Sequence, residues 1–552
     1  MNDRYARHPV IVASNRGPVS FSFTDDGSLT RRRGGGGMVS GLSSALAAND
    51  HAGAGTLWIC AAMSDADRAA ALRGVMAADG GDGGDAGGES GGGGAGGRGG
   101  RDAGGEKGTP ALMLDIPPAT FEAAYNGIAN SVLWFVQHML YDTPTQPSFG
   151  AQFRADWAAY AAYNEAFADA LAEHAVEGSR VLIQDYHLSL APRLLRARRP
   201  GARIGHFSHT PWAPPAYFRM LPDDIAAAIL DGMLGADHLG FLADRWADAF
   251  LDCCESVLGA PTSRARSDES SGSRGLVTYR GRTTVVAAHP LGVDAGSLRD
   301  RASQEDVRAN MAGLLTVAGR QPAGSQQAGS QQAGSQLAGG QPAGGLLAGG
   351  QQDGGRQLIV RVDRTELSKN IVRGLAAYRE LLRTRPEWHG RVSHLAFAYP
   401  SRPAVAEYRA YTEQVIRTAE EINGEFGTPD WRPVLLEVKD DYARSLAACR
   451  VADVLLINPI RDGMNLVAEE GPILSDRGCA LVLSREAGAA SLIGDFALLV
   501  NPYDVSATAQ ALHEGLCMPP DERRRRCAAI TAAASAAAPA QWLAGQLAGL
   551  SS

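Results

Sequence analysis

The chain contains two sets of short, β-rich apolar runs, and each run is followed by a stretch with helical patterning. In order, the runs of the first set are HPVIVASN, TLWICAAM, SRVLIQDYH, ARIGHFSHT, HLGFLAD and TTVVAAHPLG, and those of the second are RQLIVRVDR, RVSHLAFAYP, RPVLLEVKD, ADVLLINP, CALVLSR and FALLVNPYD. Continuous apolar runs that alternate with helices are typical of βαβ units around a buried parallel sheet. The pattern therefore predicts two doubly wound α/β domains, whose ligands bind beyond the carboxyl ends of the strands.

Two low-complexity segments, 77–108 and 318–355, differ sharply from the rest of the 552-residue chain. Both are dominated by small and polar residues, so they bury too little apolar surface to offset the entropy of ordering. Such insertions are tolerated where the backbone is exposed, and the second one predicts a domain boundary. We expect an N-terminal domain over 1–300, a C-terminal domain over 356–535 and a terminal segment over 536–552.

Charge and cysteine content restrict the partners of the protein. A formal net charge of −8 disfavours nonspecific binding to nucleic acid, while a local basic pocket for phosphates remains compatible with it. The seven cysteines show neither a disulfide framework nor the paired spacing of a zinc site. With no apolar run of signal-peptide or membrane-spanning length, we expect a cytoplasmic protein with no membrane partner. A homo-oligomer is compatible with the sequence, which does not define the oligomeric state.

Several polar residues of the N-terminal half follow predicted strands or open a helix. The glycine run 34–37 precedes a helix expected to begin near Met38, and backbone amides there favour a phosphate. The alternative is a tight turn with no ligand. Asp185 and His209 each follow a strand and suit sugar hydroxyls, or else cap a helix. Trp134 stacks on a sugar face or belongs to the core.

The C-terminal half has a more specific pattern. Arg364 and Lys369 lie five residues apart just after a strand, where two cations can hold a diphosphate and stabilise the charge that grows on it. A solvated helix start with ordinary surface cations is the alternative. Arg402 follows another strand and is a second candidate for phosphate binding. The stretch RDGMNLVAEE, residues 461–470, combines a turn, a helix start and carboxylates that suit a nucleotide sugar, or else forms an ordinary turn.

Taken together, the motifs SNRGPVS, GGGGMVSGL, YNGIANSVLW, QDYHL, HTPW, VDRTELSKN, YPSR, INGEFGTPDW, RDGMNLVAEE and NPYD resemble those of the trehalose-6-phosphate synthases, glycosyltransferase family 20. They follow the order of the family across nearly the whole chain outside the low-complexity segments. The resemblance implies a GT-B fold, with two Rossmann-like domains facing a cleft and a C-terminal helix within 536–552 that crosses back to the N-terminal domain. It also implies retaining transfer of glucose from a nucleotide-glucose, UDP-glucose by default and GDP-glucose as the alternative, to glucose 6-phosphate.

The resemblance also implies site residues. For the acceptor these are Arg16, Tyr125, Trp134, Asp185 and Arg402. For the donor they are Gly36, Gly37, Arg364, Lys369, Leu466, Val467, Ala468, Glu469 and Glu470. The residues expected to act on the reacting groups are Arg364, Lys369, His209 and Asp462. No metal and no other cofactor is expected.

Departures from the family pattern leave alternatives open. Gly471 and Pro472 are expected to shorten or bend the helix after Glu470, because proline removes a hydrogen-bond donor. No aromatic residue near the nucleotide base can be aligned with certainty, so base specificity stays open. A pseudoglycosyltransferase that couples a nucleotide-cyclitol to an aminocyclitol phosphate, and a silent sugar-phosphate sensor, are the competing interpretations. No phosphatase motif follows the second domain, so a separate phosphatase is expected to act on the product.

Overall fold

Each of the twelve apolar runs forms a strand of one of two sheets, so the prediction of two doubly wound domains is confirmed. The structure, a computed structural model, describes residues 9–33, 37–47, 55–73, 109–265, 274–320 and 355–550. Gly36, the segment 77–108 and residues 321–354 of the second low-complexity segment lie outside the described residues.

The N-terminal half forms a nine-stranded sheet in the order β5-β4-β1-β6-β7-β8-β11-β10-β9, with β2 and β3 as a separate hairpin. The strands are β1 (Val10–Ser14), β2 (Val19–Phe23), β3 (Leu29–Arg33), β4 (Thr56–Ala61), β5 (Ala111–Leu114), β6 (Arg180–Gln184), β7 (Arg203–Ser208), β8 (His238–Phe241), β9 (Thr262–Ala265), β10 (Arg274–Tyr279) and β11 (Arg282–Ala288). Neighbours from β5 to β11 pair in parallel, and β10 pairs antiparallel with β11 and β9.

Helices cover both faces of this sheet. They are α1 (Gly37–Ala47), α2 (Asp65–Leu72), α3 (Pro118–Glu122), a π-helix (Ala123–Leu133), α4 (Trp134–His138), α5 (Ala151–His174), a 3₁₀ turn (Tyr186–Leu188), α6 (Ala191–Arg198), α7 (Pro215–Phe218), α8 (Asp223–Met233), α9 (Asp244–Leu258), α10 (Ala295–Ala302) and α11 (Glu305–Val317). The central strands are apolar on both faces and fully buried, as in β1, because helices cover both sides.

The C-terminal half forms a six-stranded, wholly parallel sheet in the order β14-β13-β12-β15-β16-β17. Its strands are β12 (Gln357–Arg364), β13 (Val392–Tyr399), β14 (Val434–Glu437), β15 (Val454–Ile457), β16 (Ala480–Ser484) and β17 (Leu498–Val500). Its helices are 3₁₀ turns Leu367–Lys369, Pro386–Trp388 and Gly494–Phe496, with α12 (Ile371–Thr384), α13 (Ala406–Phe426), α14 (Tyr442–Val451), α15 (Val467–Leu474), α16 (Ala490–Ile493), α17 (Val505–Cys517) and α18 (Pro520–Ala536). Pro472 lies inside α15, which is only eight residues long.

The last helix, α19 (Pro539–Gly549), packs on the N-terminal half against α1, β7 and β8. Trp542 is its anchor, because its buried ring meets Phe207 edge-on at 5.1 Å and lies 5.7 Å from the His209 ring. Gly549 permits the close approach, since a Cβ there would lie 2.5 Å from Nδ1 of His238. The helix therefore packs directly behind a residue of the predicted site. Among the described residues, no helix combines the length and apolar character needed to cross a membrane.

Candidate active site

The sequence-predicted site residues gather where the carboxyl ends of the two sheets meet. Asp185 and His209 follow β6 and β7 of the N-terminal sheet. In the C-terminal sheet, Arg364 is the last residue of β12, and Arg402 and Asp462 follow β13 and β15. The two halves touch here, because Arg402 Nη2 donates to the Tyr186 hydroxyl at 3.4 Å. Strand ends of both domains therefore form one site, as expected for doubly wound sheets.

Arginine and aromatic side chains form the part of the site predicted to hold the acceptor phosphate. Arg16 Nη2 lies 3.2 Å from the Tyr125 hydroxyl. Burial alone would raise the pKa of Tyr125, but the charges of Arg16 and Arg402 outweigh it and the pKa is lowered. The Arg402 guanidinium lies 4.1 Å from the centre of the Trp134 ring. Two guanidiniums from different domains thus lie close to one phenol, an arrangement that suits an anion.

Arg402 is held in place by groups that the sequence did not identify. Tyr186, which Arg402 contacts, donates its own hydroxyl to Oδ1 of the fully buried Asn130 at 3.0 Å. Tyr408 accepts a further hydrogen bond from Arg402. These contacts leave the guanidinium little freedom, so the cation is oriented before any anion arrives.

The backbone is strained at three site residues. Asp185, Arg402 and Asn465 have φ values of 74°, 45° and 78°, in a region that side chains other than glycine rarely adopt. Such strain concentrates where surrounding structure holds a functional side chain in place. Among the described residues, three other non-glycine residues also have a positive φ, namely Met139, Arg280 and Asn370.

Asp185 and His209 lie side by side on neighbouring strand ends. Oδ1 of Asp185 accepts a hydrogen bond from the His209 backbone amide at 3.2 Å, and Nε2 of His209 is 2.9 Å from Oε1 of Gln184. Burial lowers the pKa of His209 to about 3, so the ring is neutral at pH 7. Burial raises the pKa of Asp185 to about 6, although backbone amides and the charges of Arg402 and Arg364 oppose that rise. The pair offers a neutral imidazole and a carboxylate for sugar hydroxyls.

Lys369 and Asp462 form a buried ion pair on the donor side. Nζ of Lys369 lies 2.6 Å from Oδ2 of Asp462, and the same oxygen accepts from Nδ2 of Asn465 at 3.0 Å. Burial opposes the charged form of Lys369, but Asp462, Asp363 and Glu366 outweigh it and raise the pKa. Lys369 therefore stays cationic next to a carboxylate that has one oxygen, Oδ1, outside this pair.

Glu366 is a site residue that sequence reasoning missed. Its side chain is fully buried, and Oε1 lies 3.1 Å from Nη1 of Arg364, 3.5 Å from Nη1 of Arg402 and 3.0 Å from the Ser401 hydroxyl. Burial would raise its pKa, but Arg364, Arg402 and Lys369 lower the pKa to about 2. One carboxylate thus links the candidate donor cation to the candidate acceptor cation. Its position between Arg364 and Lys369 in DRTELSKN was the available indication.

The two glutamates of the predicted donor motif, Glu469 and Glu470, are adjacent on helix α15 but differ in burial. The Glu469 side chain is fully buried, with the backbone amide of Val293 as its polar neighbour. Burial raises the pKa of Glu469 well above its usual value, so we assign it to the packing of α15 and not to the ligand surface. Glu470 is only partly buried and remains the candidate for the ribose, with burial raising its pKa to about 7.

The other predicted donor residues lie at helix starts. Leu466 precedes α15 and Val467 opens it, so their backbone groups are at the positive end of the helix, whereas the Ala468 side chain is buried. Gly37 opens α1, and Gly36 lies outside the described residues. In the part of the chain that the structure describes, no three His, Cys, Asp or Glu side chains are arranged to hold a metal ion.

Two doubly wound domains that meet at their strand ends around a cluster of cations define a glycosyltransferase of the GT-B class. The sequence profile described as glycosyltransferase family 20 matches residues 109–320 and 350–552. The chain belongs to this family.

Similar proteins carry two different descriptions. The chain is 31% identical over 405 residues to a bifunctional trehalose-6-phosphate synthase/phosphatase of Thermoproteus tenax, covering 73% of this chain and 48%, about half, of that protein. It is 30% identical over 437 residues to a validamine 7-phosphate valienyltransferase of Streptomyces hygroscopicus subsp. jinggangensis, covering 79% of this chain and 78% of that one. The crystal structure of an alpha,alpha-trehalose-phosphate synthase (UDP-forming) from Burkholderia vietnamiensis is 27% identical and superposes with a TM-score of 0.72 over 98% of this chain and 99% of that chain.

Proposed function

We propose that this chain transfers glucose from a nucleotide-glucose, with UDP-glucose as the expected donor, to the anomeric hydroxyl of glucose 6-phosphate, forming α,α-trehalose 6-phosphate. The observation that carries the proposal is the pair of cation clusters around Glu366. Arg402, with Arg16 and Tyr125, suits a phosphate monoester, and Arg364, with Lys369, suits a diphosphate. Two candidate phosphate sites, with the Glu366 carboxylate between them, fit a phosphorylated acceptor beside a nucleotide-activated donor.

The proposed reaction proceeds with retention at the anomeric carbon. The bond from C1 of the donor glucose to the diphosphate oxygen breaks, and the acceptor hydroxyl oxygen bonds to C1 from the same face. The acceptor proton passes to the departing phosphate oxygen, and the nucleoside diphosphate leaves. Arg364 and Lys369 stabilise the negative charge that grows on that oxygen, and they do so without a metal ion.

Other site residues orient the substrates in this proposal. Asp185 accepts a hydrogen bond from the acceptor sugar, and Trp134 lines its pocket. His209 and Asp462 contact the donor glucose from opposite domains, and Glu470 holds the ribose diol. The carboxylates nearest the two cations are already paired, Asp462 with Lys369 and Glu366 with the arginines, which suits electrostatic roles better than a double displacement.

We place the reaction in the cytoplasm, because all seven cysteines are free thiols. The phosphate stays on the product in this proposal, and a separate phosphatase removes it. The alternative, coupling of a nucleotide-cyclitol to an aminocyclitol phosphate, is favoured by the likeness to the Streptomyces protein.

Incubation of the purified protein with glucose 6-phosphate and, separately, UDP-, GDP- and ADP-glucose tests the proposal. We expect nucleotide release and α,α-trehalose 6-phosphate, identified by NMR and mass spectrometry, fastest with UDP-glucose and unaffected by EDTA. Donors that bind without turnover would overturn the proposal in favour of the cyclitol reaction. A parallel incubation with a nucleotide-cyclitol and an aminocyclitol phosphate then decides that alternative directly.

The raised pKa of Asp185 predicts a pH dependence of acceptor binding. Since burial brings the pKa of Asp185 to about 6, the carboxylate needed by the sugar hydroxyl is lost as pH falls below that value. We expect KM for glucose 6-phosphate to rise about tenfold per pH unit below 6. The substrate phosphate titrates in the same range, so Asp185→Asn is the control. A KM of the variant that rises as steeply as that of the wild type would contradict the role of Asp185.

The raised pKa of Asp185 also means that ionisation of this carboxyl, which acceptor binding needs, destabilises the folded protein. The pKa of Asp185 is raised in the folded state, so its contribution to stability is fully present below the unfolded value near 4 and is lost as pH rises through about 6. Asp185→Asn is therefore expected to raise Tm at pH 8 while it impairs acceptor binding.

A further inference from the structure

The start of helix α9 in the N-terminal domain reaches the loop that follows β16 in the C-terminal domain. Arg245 Nη1 donates to the carbonyl oxygen of Arg485 at 2.9 Å, and Nη2 donates to that of Ala487 at 2.8 Å. Nη1 also lies 3.4 Å from a carboxylate oxygen of Glu486. One guanidinium thus bonds two carbonyls and a carboxylate on the far side of the domain boundary.

The next residue, Trp246, contacts the donor loop, which we define as residues 459–466. Its indole nitrogen donates to the carbonyl oxygen of Gly463 at 3.1 Å, and the ring is almost wholly buried. The guanidiniums of Arg245 and Arg461 lie over this ring, 4.1 and 4.7 Å from its centre. Cations over an indole face are attracted by its quadrupole, which favours this single orientation of the ring.

The donor loop has little room to move at this point. The Asp462 amide donates to the Glu486 carbonyl at 3.3 Å, and the Gly488 amide donates to the Asp462 carbonyl at 3.1 Å. A Cβ on Gly463 would lie 2.0 Å from the carbonyl oxygen of His209, and one on Gly488 would lie 1.8 Å from that of Gly463. The backbone on either side of Asp462 is therefore tightly packed between the two domains, and its position depends on the contact between them.

We propose that Arg245 and Trp246 are positioning residues that hold the donor loop, and through it Asp462, against the donor glucose from the opposite domain. Neither residue reaches the reacting atoms. Arg245 fixes the loop after β16, against which the donor loop packs, and Trp246 fixes the Gly463 carbonyl next to Asp462. This inference rests on the proposed function, because it assigns Asp462 to the glucose of the donor.

Trp246→Phe tests the proposal, since it keeps an aromatic ring but removes the indole donor to Gly463 together with part of the ring area. We expect kcat to fall about fivefold to tenfold, the range for loss of one hydrogen bond that positions a reacting group. KM for glucose 6-phosphate is expected to stay within about twofold. Binding of UDP-glucose should weaken relative to UDP, because Asp462 and His209 face the sugar while Arg364, Lys369 and Glu470 hold the nucleotide. A merely structural role would not change that ratio.

Trp388→Phe is the matched control, because its buried indole also donates one hydrogen bond, to Nδ1 of His513 at 3.1 Å, away from the site. It is expected to lower Tm about as much as Trp246→Phe and to leave kcat and the binding ratio unchanged. Arg245→Ala, at a side chain that is partly exposed, is the second test and should lower kcat at least as much as Trp246→Phe.

The outcomes separate this inference from the proposed function. A wild-type protein that neither binds UDP-glucose nor forms product overturns the proposed function and this inference with it. An active wild type whose Trp246→Phe and Arg245→Ala variants keep its kcat and its ratio of UDP-glucose to UDP affinity overturns this inference alone.

Discussion

Replacing Lys369 with alanine is expected to lower kcat by about a thousandfold. The change removes one of the two cations that we propose stabilise the departing diphosphate, a loss that costs roughly 3 kcal/mol by itself. It also leaves Asp462 without its partner, in a pair whose side chains are only 13% and 16% exposed. Removing one member of such a pair is more damaging than the loss of the contact, because the remaining charge is left uncompensated. Single-turnover measurement of nucleotide release from UDP-glucose checks this result.

A double-mutant cycle with Asp462→Ala distinguishes the two contributions. Because the two side chains act as a pair, the double variant should be little worse than Lys369→Ala alone. A Lys369→Ala variant within tenfold of wild-type kcat would rule out a catalytic role for this cation.

Arg364→Ala is expected to lower kcat by about a hundredfold, or roughly 3 kcal/mol, because one of the two proposed donors to the diphosphate is lost. The Arg364 side chain is 53% exposed but pairs with the fully buried Glu366, so its removal should also lower Tm. Arg417→Ala is the matched control, because Arg417 is an exposed arginine of α13 that pairs with Glu413 along the helix. We expect normal turnover in the control, and near-normal turnover in Arg364→Ala would refute the assignment of the donor site.

Most strands that the sequence predicted are buried on both faces, although β14 and β17, the partly buried edge strands of the C-terminal sheet, were predicted as well. β1 and β15, for example, are continuous apolar runs because helices cover both sides of the parallel sheet. The strands it did not predict lie at edges or in hairpins. β10 alternates exposed and buried residues and pairs antiparallel with β11, and β9 is largely exposed, so neither carries an apolar run. Whether such a segment forms a strand depends more on the strand with which it pairs than on its own composition.

The structure brings together the site residues that the sequence placed at strand ends, whereas side chains that contact these residues from elsewhere in the chain were not predicted. The resemblance to the family selected Lys369 and Asp462, which lie 93 positions apart in the chain and form an ion pair in the structure. It also included Glu469, whose side chain the structure buries behind α15, because adjacent residues of a helix point in different directions. Trp246 was not among the predicted site residues, since its partner Gly463 belongs to the other domain.

The sequence by itself determined the two doubly wound domains, the strand ends that meet at the candidate site and most of the charged groups there, because apolar periodicity and motif order are local properties of the chain. Only the tertiary structure decided how those groups work together. It placed Glu366 between Arg364 and Arg402, paired Lys369 with Asp462 and set Trp246 against the donor loop. These arrangements depend on how one sheet is oriented against the other and on which side chains lose water there, and neither is encoded by the spacing of residues along the chain.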